Sequence, residues 1–207
     1  MIAVFAGPTL HGLDTRAYPG IAFHPPAGFG DIARAAREGA TSIGLVDGVF
    51  EQQRSVWHKG DPVRHGGRRA GAGRGQPRRL RAVECEAYGM EGVGEIFTEY
   101  REGRRTRDAD VAVIHGPAEL GFLPLSLAQV DVEHSLRRMQ ALGILSARDG
   151  ASVAAASRAI FFKTRTRASL AAACKGLTGV DLAEALSRYW VDRKGADARL
   201  LLDRIAS

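Results

Sequence analysis

Apolar residues follow two kinds of pattern along this chain, and the change from one to the other marks its organisation. Three short runs rich in Val and Ile, at 2–6, 41–46 and 111–114, read as buried β-strands. Each runs into turn chemistry: Gly7-Pro8-Thr9, Asp47-Gly48 and His115-Gly116-Pro117. Between the first two, Gly30-Asp31 opens a short amphipathic helix through Ile32, Ala35 and Ala36, and Gly39 closes it. A strand, helix, strand unit favours a parallel sheet, and open α/β sheets take ligands at the carboxyl ends of their strands. Thr9, Asp47 and His115 are then expected to converge at one edge.

From Leu80 onward the period is helical. Val93, Ile96, Phe97 and Tyr100 follow i, i+3, i+4, i+7 up to Gly103, and Val132, Leu136 and Met139 mark a second helix that stops at Gly143. Thr178 and Asp181 bracket a start resembling a capping box, ahead of Leu182, Leu186, Tyr189 and Trp190. Ala198, Leu201, Leu202 and Ile205 form the last stripe. The expected fold class is α/β: a Rossmann-like N-terminal half with a short parallel sheet, and a mainly helical C-terminal half. The expected division is a core over 1–145 with a helical region, 146–207, packed on it.

With 207 residues, 45% of them hydrophobic, there is enough apolar surface for a core, which excludes collagen-like, wholly disordered and disulfide-knotted classes. Pro8 interrupts the apolar start far short of a spanning segment, and no charged n-region precedes it, so a cytoplasmic protein with no membrane association is expected. Cys85 and Cys174 lie far apart, with no CxxC pair and no His at ligand spacing; both read as buried thiols, and neither a metal nor a cofactor is expected.

Net charge first suggests nucleic acid, and its distribution removes that suggestion. Of the formal +6, residues 60–79 contribute +5, from six Arg against one Asp. That segment also holds six Gly, two Ala and two Pro, with Val63 its only sizeable aliphatic side chain, and it cannot build a core element. Taken literally it is an Arg/Gly-rich loop of the kind that contacts single strands, which would give steeply salt-dependent binding, but it lacks aromatic stacking partners. Its Gly71-Ala72-Gly73-Arg74-Gly75 run is not a phosphate loop, because no strand precedes it and no GK[ST] follows. Gly, Arg, Ala and Pro are also the residues of GC-only codon doublets. Dropping one base after Lys59 permits a decoding that restores an amphipathic helix, a strand and a serine at position 76. A compensated double frameshift over roughly 60–79 accounts for the composition, and the nucleotide sequence tests it.

The flanks carry particular strings: Val4-Phe5-Ala6-Gly7-Pro8-Thr9-Leu10, Pro25-Pro26 with Gly30-Asp31-Ile32, Gly44-Leu45-Val46-Asp47-Gly48-Val49-Phe50 and Val56-Trp57-His58-Lys59. Beyond the basic segment come Leu80-Arg81-Ala82-Val83-Glu84, Gly89-Met90-Glu91-Gly92-Val93-Gly94 and His115-Gly116-Pro117-Ala118-Glu119-Leu120-Gly121. In order and spacing these resemble the TfuA-like core domain, over roughly Val4 to Met139. The resemblance implies an accessory role in peptide backbone thioamidation beside a YcaO enzyme, which activates a peptide amide with ATP. It further implies hydrolysis of a thiocarboxylated ThiS-like sulfur carrier at a Ser–Lys site. A lysine kept neutral by desolvation takes the serine proton, and the oxygen attacks the thioacid carbonyl while backbone N–H groups hold the oxyanion.

The lysine of that pattern maps to Lys59, while the serine position holds Gln76, so hydrolase activity is not expected from this chain as written. Ser55, four residues before Lys59, is either a fallback nucleophile or a helix cap. His58 either orients a partner or fills a core position. Asp47 and His115 serve in substrate or partner binding or in turn formation, and Thr9 shares their edge. Arg81, Glu84 and Glu119 either brace the site as ion pairs or bind a carrier or YcaO surface. The implied partners are YcaO, the sulfur carrier and, through YcaO, the peptide substrate. A non-catalytic adaptor joining those three is the alternative.

Overall fold

A computed structural model describes residues 1–49 and 81–207. They divide into two compact units, the first comprising Met1–Gly7, Leu13–Arg107 and Leu200–Ser207, the second Pro8–Gly12 and Asp108–Arg199.

The first unit is built on a three-stranded parallel sheet in the order β2-β1-β3, with β1 over Ile2–Phe5, β2 over Ile21–His24 and β3 over Ser42–Leu45. Ile2 stands opposite both Ile21 and Ser42, and Phe5 opposite both His24 and Leu45. As the central strand, β1 is buried on both faces, which is why its sequence is continuously apolar instead of alternating. Ala3 and Phe5 pack with Ala27, Ile43, Leu45 and residues Ile32 and Ala35 of α1 (Asp31–Arg37). On the opposite face, Leu201 and Ile205 of α8 (Arg193–Ala206) lie over Gly44. A Cβ at Gly44 would stand 3.0 Å from both Leu201 Cδ2 and Val4 Cγ2, so the glycine is what lets helix and sheet approach this closely.

α1 ends as its sequence predicts. Gly39 takes a left-handed φ of 88°, and the Ala40 N–H reaches back to Ala35 O at 3.0 Å. Among the described residues the unit also contains α2 (Arg81–Cys85) and α3 (Gly94–Arg101). The expected stripe Ile96, Phe97 and Tyr100 is buried on α3, and Gly92 clears room for the Phe97 ring. The buried Glu99 accepts two hydrogen-bonded N–H groups of Arg105, at 2.8 and 2.9 Å.

The second unit is helical: α4 (Gln129–Ala141), α5 (Ala147–Ala159), α6 (Arg167–Ala173), α7 (Leu182–Tyr189) and the first half of α8. Its core contains Val132, Leu136, Met139, Val153, Leu170, Leu182 and Leu186. Two buried polar side chains of this unit, Gln129 and Arg165, are held by hydrogen bonds. Ser157 donates to Gln129 Oε1 at 2.7 Å, and Gln129 donates in turn to Glu133 and to Ala154 O. The Arg165 guanidinium donates to the carbonyls of Ser157, Leu127 and Ile160 at 3.1, 3.2 and 3.1 Å.

Four local expectations need correction. The run 111–114 is not a strand: Ile114 N–H bonds to Ser126 Oγ in place of a backbone carbonyl, which leaves an isolated antiparallel bridge between His115 and Pro124 and no ladder. The third strand is instead Ile21–His24. Asp181 alone caps α7, accepting from Ala183 and Glu184, while Thr178 accepts from Val180; the capping box sits at Thr166 and Ser169 on α6. Finally, Cys174 is buried, with its thiol pushed up by desolvation, whereas Cys85 is only half-buried. Among the described residues no helix is long and apolar enough to cross a membrane.

Candidate functional site

The carboxyl ends of the three parallel strands share one edge, the side on which open α/β sheets bind ligands. Asp47 stands there. Its Oδ2 accepts the Gly7 N–H at 2.9 Å, and the N–H groups of Val46 and Asp47 both bond to Phe5 O. Asp47 O takes the Ala27 N–H at 2.9 Å, tying in the segment that follows β2. The side chain is 8% exposed, so its first work is to brace the turn at Gly7 from the neighbouring strand end.

His24 occupies the carboxyl end of β2 and went unnoticed in the sequence. Its ring stacks on Phe5 with centroids 5.1 Å apart, its carbonyl accepts the Ala6 N–H, and its buried Nε2 has no hydrogen-bond partner among the described residues. The available signal was a histidine directly before Pro25-Pro26, which stop the strand and leave its last side chain at the edge.

Thr9, His115 and Glu119 belong to the second unit. Thr9 lies in a single 3-10 turn, Pro8–Leu10, and is half-buried; Glu119 lies in another, Ala118–Leu120, and is exposed. Among the described residues 111–114 does not join the sheet, so the strand expected to carry His115 to the sheet's edge is absent. His115 instead begins a loop, 115–125, closed by Gly116 N–H to Leu123 O at 2.8 Å and Leu125 N–H to Ile114 O at 2.8 Å. Glu84 is exposed on α2, and Arg81 opens that helix. Ser55, His58, Lys59 and Gln76 lie outside the described residues.

Residues 47–166, more than half of the chain, match the family model of TfuA-like proteins. The chain belongs to the TfuA-like protein family. No curated protein matches it. The matched stretch of this TfuA-like protein begins at the bracing carboxylate, Asp47, and ends at Thr166, the cap of α6. It therefore takes in the Trp57-His58-Lys59 string, the Glu99–Arg105 pair and the 115–125 loop.

Proposed function

We propose that this TfuA-like protein is an accessory factor in YcaO-dependent peptide backbone thioamidation, and that its substrate is a thiocarboxylated ThiS-like sulfur carrier. The observation that carries the reading is the family match over 47–166, which includes Lys59. In the reaction water replaces sulfur on the carrier's terminal carbonyl, giving a carboxylate and hydrogen sulfide for the YcaO enzyme. Lys59, neutral, is the base for a serine nucleophile; the serine oxygen adds to the thioacid carbonyl, sulfide leaves as the adduct collapses to an acyl-serine ester, and water then hydrolyses that ester to the carboxylate and frees the serine.

Gln76 stands where that serine is expected, and this favours a second reading: the chain as written is an adaptor holding YcaO, its peptide and the carrier. Sulfide release from a thiocarboxylated ThiS-like carrier separates the two. A chain with the reading frame over 60–79 restored should release sulfide and lose that activity on Lys59→Ala. The chain as written should release none yet co-purify with YcaO. Sulfide release that is indifferent to Lys59→Ala would overturn the lysine mechanism.

A further inference from the structure

On the second unit α7 borders a small groove, none of whose lining residues enters the proposed sulfur chemistry. Its volume is about 140 Å³. Drug-sized ligands occupy ~300–1,000 Å³, whereas a cavity of ~150 Å³ holds one benzene, so the groove suits an apolar group of roughly four to six carbons. Ile144, Val180 and Ala185 supply its apolar lining. Ala185 belongs to the core of this unit, and the other two are half-buried against that core, so the floor is fixed by packing. Along α7 and its cap the groove takes Asp181, Glu184, Ala185, Arg188 and Tyr189, the i, i+3, i+4, i+7, i+8 face of one helix. Glu184 and Arg188 have the i, i+4 spacing, acid first, at which such side chains favour pairing. They do not pair. Among the described residues neither side chain makes an ion pair or a hydrogen bond, and the Arg188 guanidinium lies over the Tyr189 ring, 5.4 Å from its centroid. Asp181 uses Oδ1 for the Ala183 and Glu184 N–H groups, and its Oδ2 has no partner among the described residues. All three charged residues are exposed. The groove therefore presents two carboxylates and a separate guanidinium around an apolar floor. An apolar guest would leave these charges unused, and a simple ion would leave the floor bare.

We infer that this groove binds a free α-amino acid with a small aliphatic side chain, of valine to leucine size. The ligand's ammonium donates to Glu184 and to Asp181 Oδ2, its carboxylate accepts from Arg188, and its side chain covers Ile144, Val180 and Ala185. Each charge of the zwitterion meets its opposite, and the separation that keeps Glu184 from Arg188 is the gap the ligand bridges.

Sulfide release does not enter the test, which is calorimetric titration of the full chain with L-leucine. One-site binding is expected. Glu184→Gln and Arg188→Gln should each weaken it at least about 10-fold, the usual effect of losing a charge-assisted hydrogen bond. Both positions are exposed and unpaired among the described residues, so the variants should fold, with urea midpoints matching wild type. N-acetyl-L-leucine lacks the ammonium and L-leucinamide lacks the carboxylate; each should bind wild type at least about 10-fold more weakly than leucine. Absence of leucine binding, or binding that both variants retain, would overturn the proposal. Leucinamide bound as tightly as leucine would overturn it too, since the groove would then be reading an amine, such as a peptide's amino terminus, and not an amino acid.

Discussion

Asp131, in the first turn of α4, is a carboxylate that the second unit buries at a cost, and its replacement by asparagine should stabilise that unit at neutral pH. The side chain is 7% exposed. Its Oδ1 accepts the Lys194 N–H at 3.0 Å, serving the first turn of α8. Burial, opposed by the Lys194 charge and reinforced by Asp192, raises the carboxyl from its ordinary 3.8 to about 6. The folded chain therefore binds this proton more tightly than the unfolded chain does. The resulting stability is complete below the unfolded value near 4 and is lost as pH rises through about 6. The interval from 3.8 to about 6 is worth about 3 kcal/mol at ~1.4 kcal/mol per pH unit, of which about 2 kcal/mol falls between pH 4.5 and 7.5. The asparagine amide would keep an oxygen for the Lys194 N–H and carry no charge. Urea unfolding of wild type and Asp131→Asn, followed by far-UV circular dichroism across that pH range, isolates the effect as a difference. The variant should gain about 2 kcal/mol relative to wild type as pH rises. Parallel curves would show that the carboxylate is solvated in the fold and that the reasoning is wrong.

Two further substitutions test the scaffold. Arg165→Met removes the buried donor that three carbonyls share, and should cost at least about 3 kcal/mol, read as a lowered urea midpoint; Arg165→Lys, lacking the planar fork, should recover less than half of it. Asp47→Ala strands the Gly7 N–H at the strand ends and should cost about 1–3 kcal/mol in thermal unfolding, whereas Asp47→Asn keeps an acceptor and should lose clearly less.

The helices were legible because their evidence is local. Ile96, Phe97 and Tyr100 on α3, and Val132, Leu136 and Met139 on α4, declare a buried face within two or three turns, and Gly103 and Gly143 end them with left-handed φ of 73° and 70°. Strands of four residues do not declare themselves in this way. Ile21–His24 is enclosed by Pro19-Gly20 and Pro25-Pro26 and reads as loop; only its pairing with β1, some twenty residues away, makes it a strand. Val111–Ile114 has the better composition and no continuous partner, because Ser126 Oγ takes the Ile114 N–H that a ladder would use. Composition states what a segment can tolerate, and pairing decides what it becomes. The same limit applies to the site. Asp47 was visible as the residue ending a strand, whereas His24 reaches that edge through a strand that only its pairing with β1 reveals.

The strings that mark the family divide accordingly by the work they do. Gly44 admits Leu201 to the sheet, Asp47 holds the Gly7 turn, and Gly92 makes room for Phe97: each answers a packing or hydrogen-bonding demand that persists whether or not any reaction occurs. The residues assigned to sulfur chemistry, Ser55, His58, Lys59 and position 76, fall instead in or beside the stretch that carries almost all of the chain's excess charge. On the proposed function, scaffold and chemistry are encoded in different places. On that reading, a shifted frame confined to 60–79 would remove the proposed nucleophile and leave the codons for β1, β3, α3 and the helical core untouched. Such a chain would keep the family's recognisable strings and the pH-dependent stability set by Asp131 while losing sulfide release, which is the combination expected of a gene damaged within its catalytic segment alone.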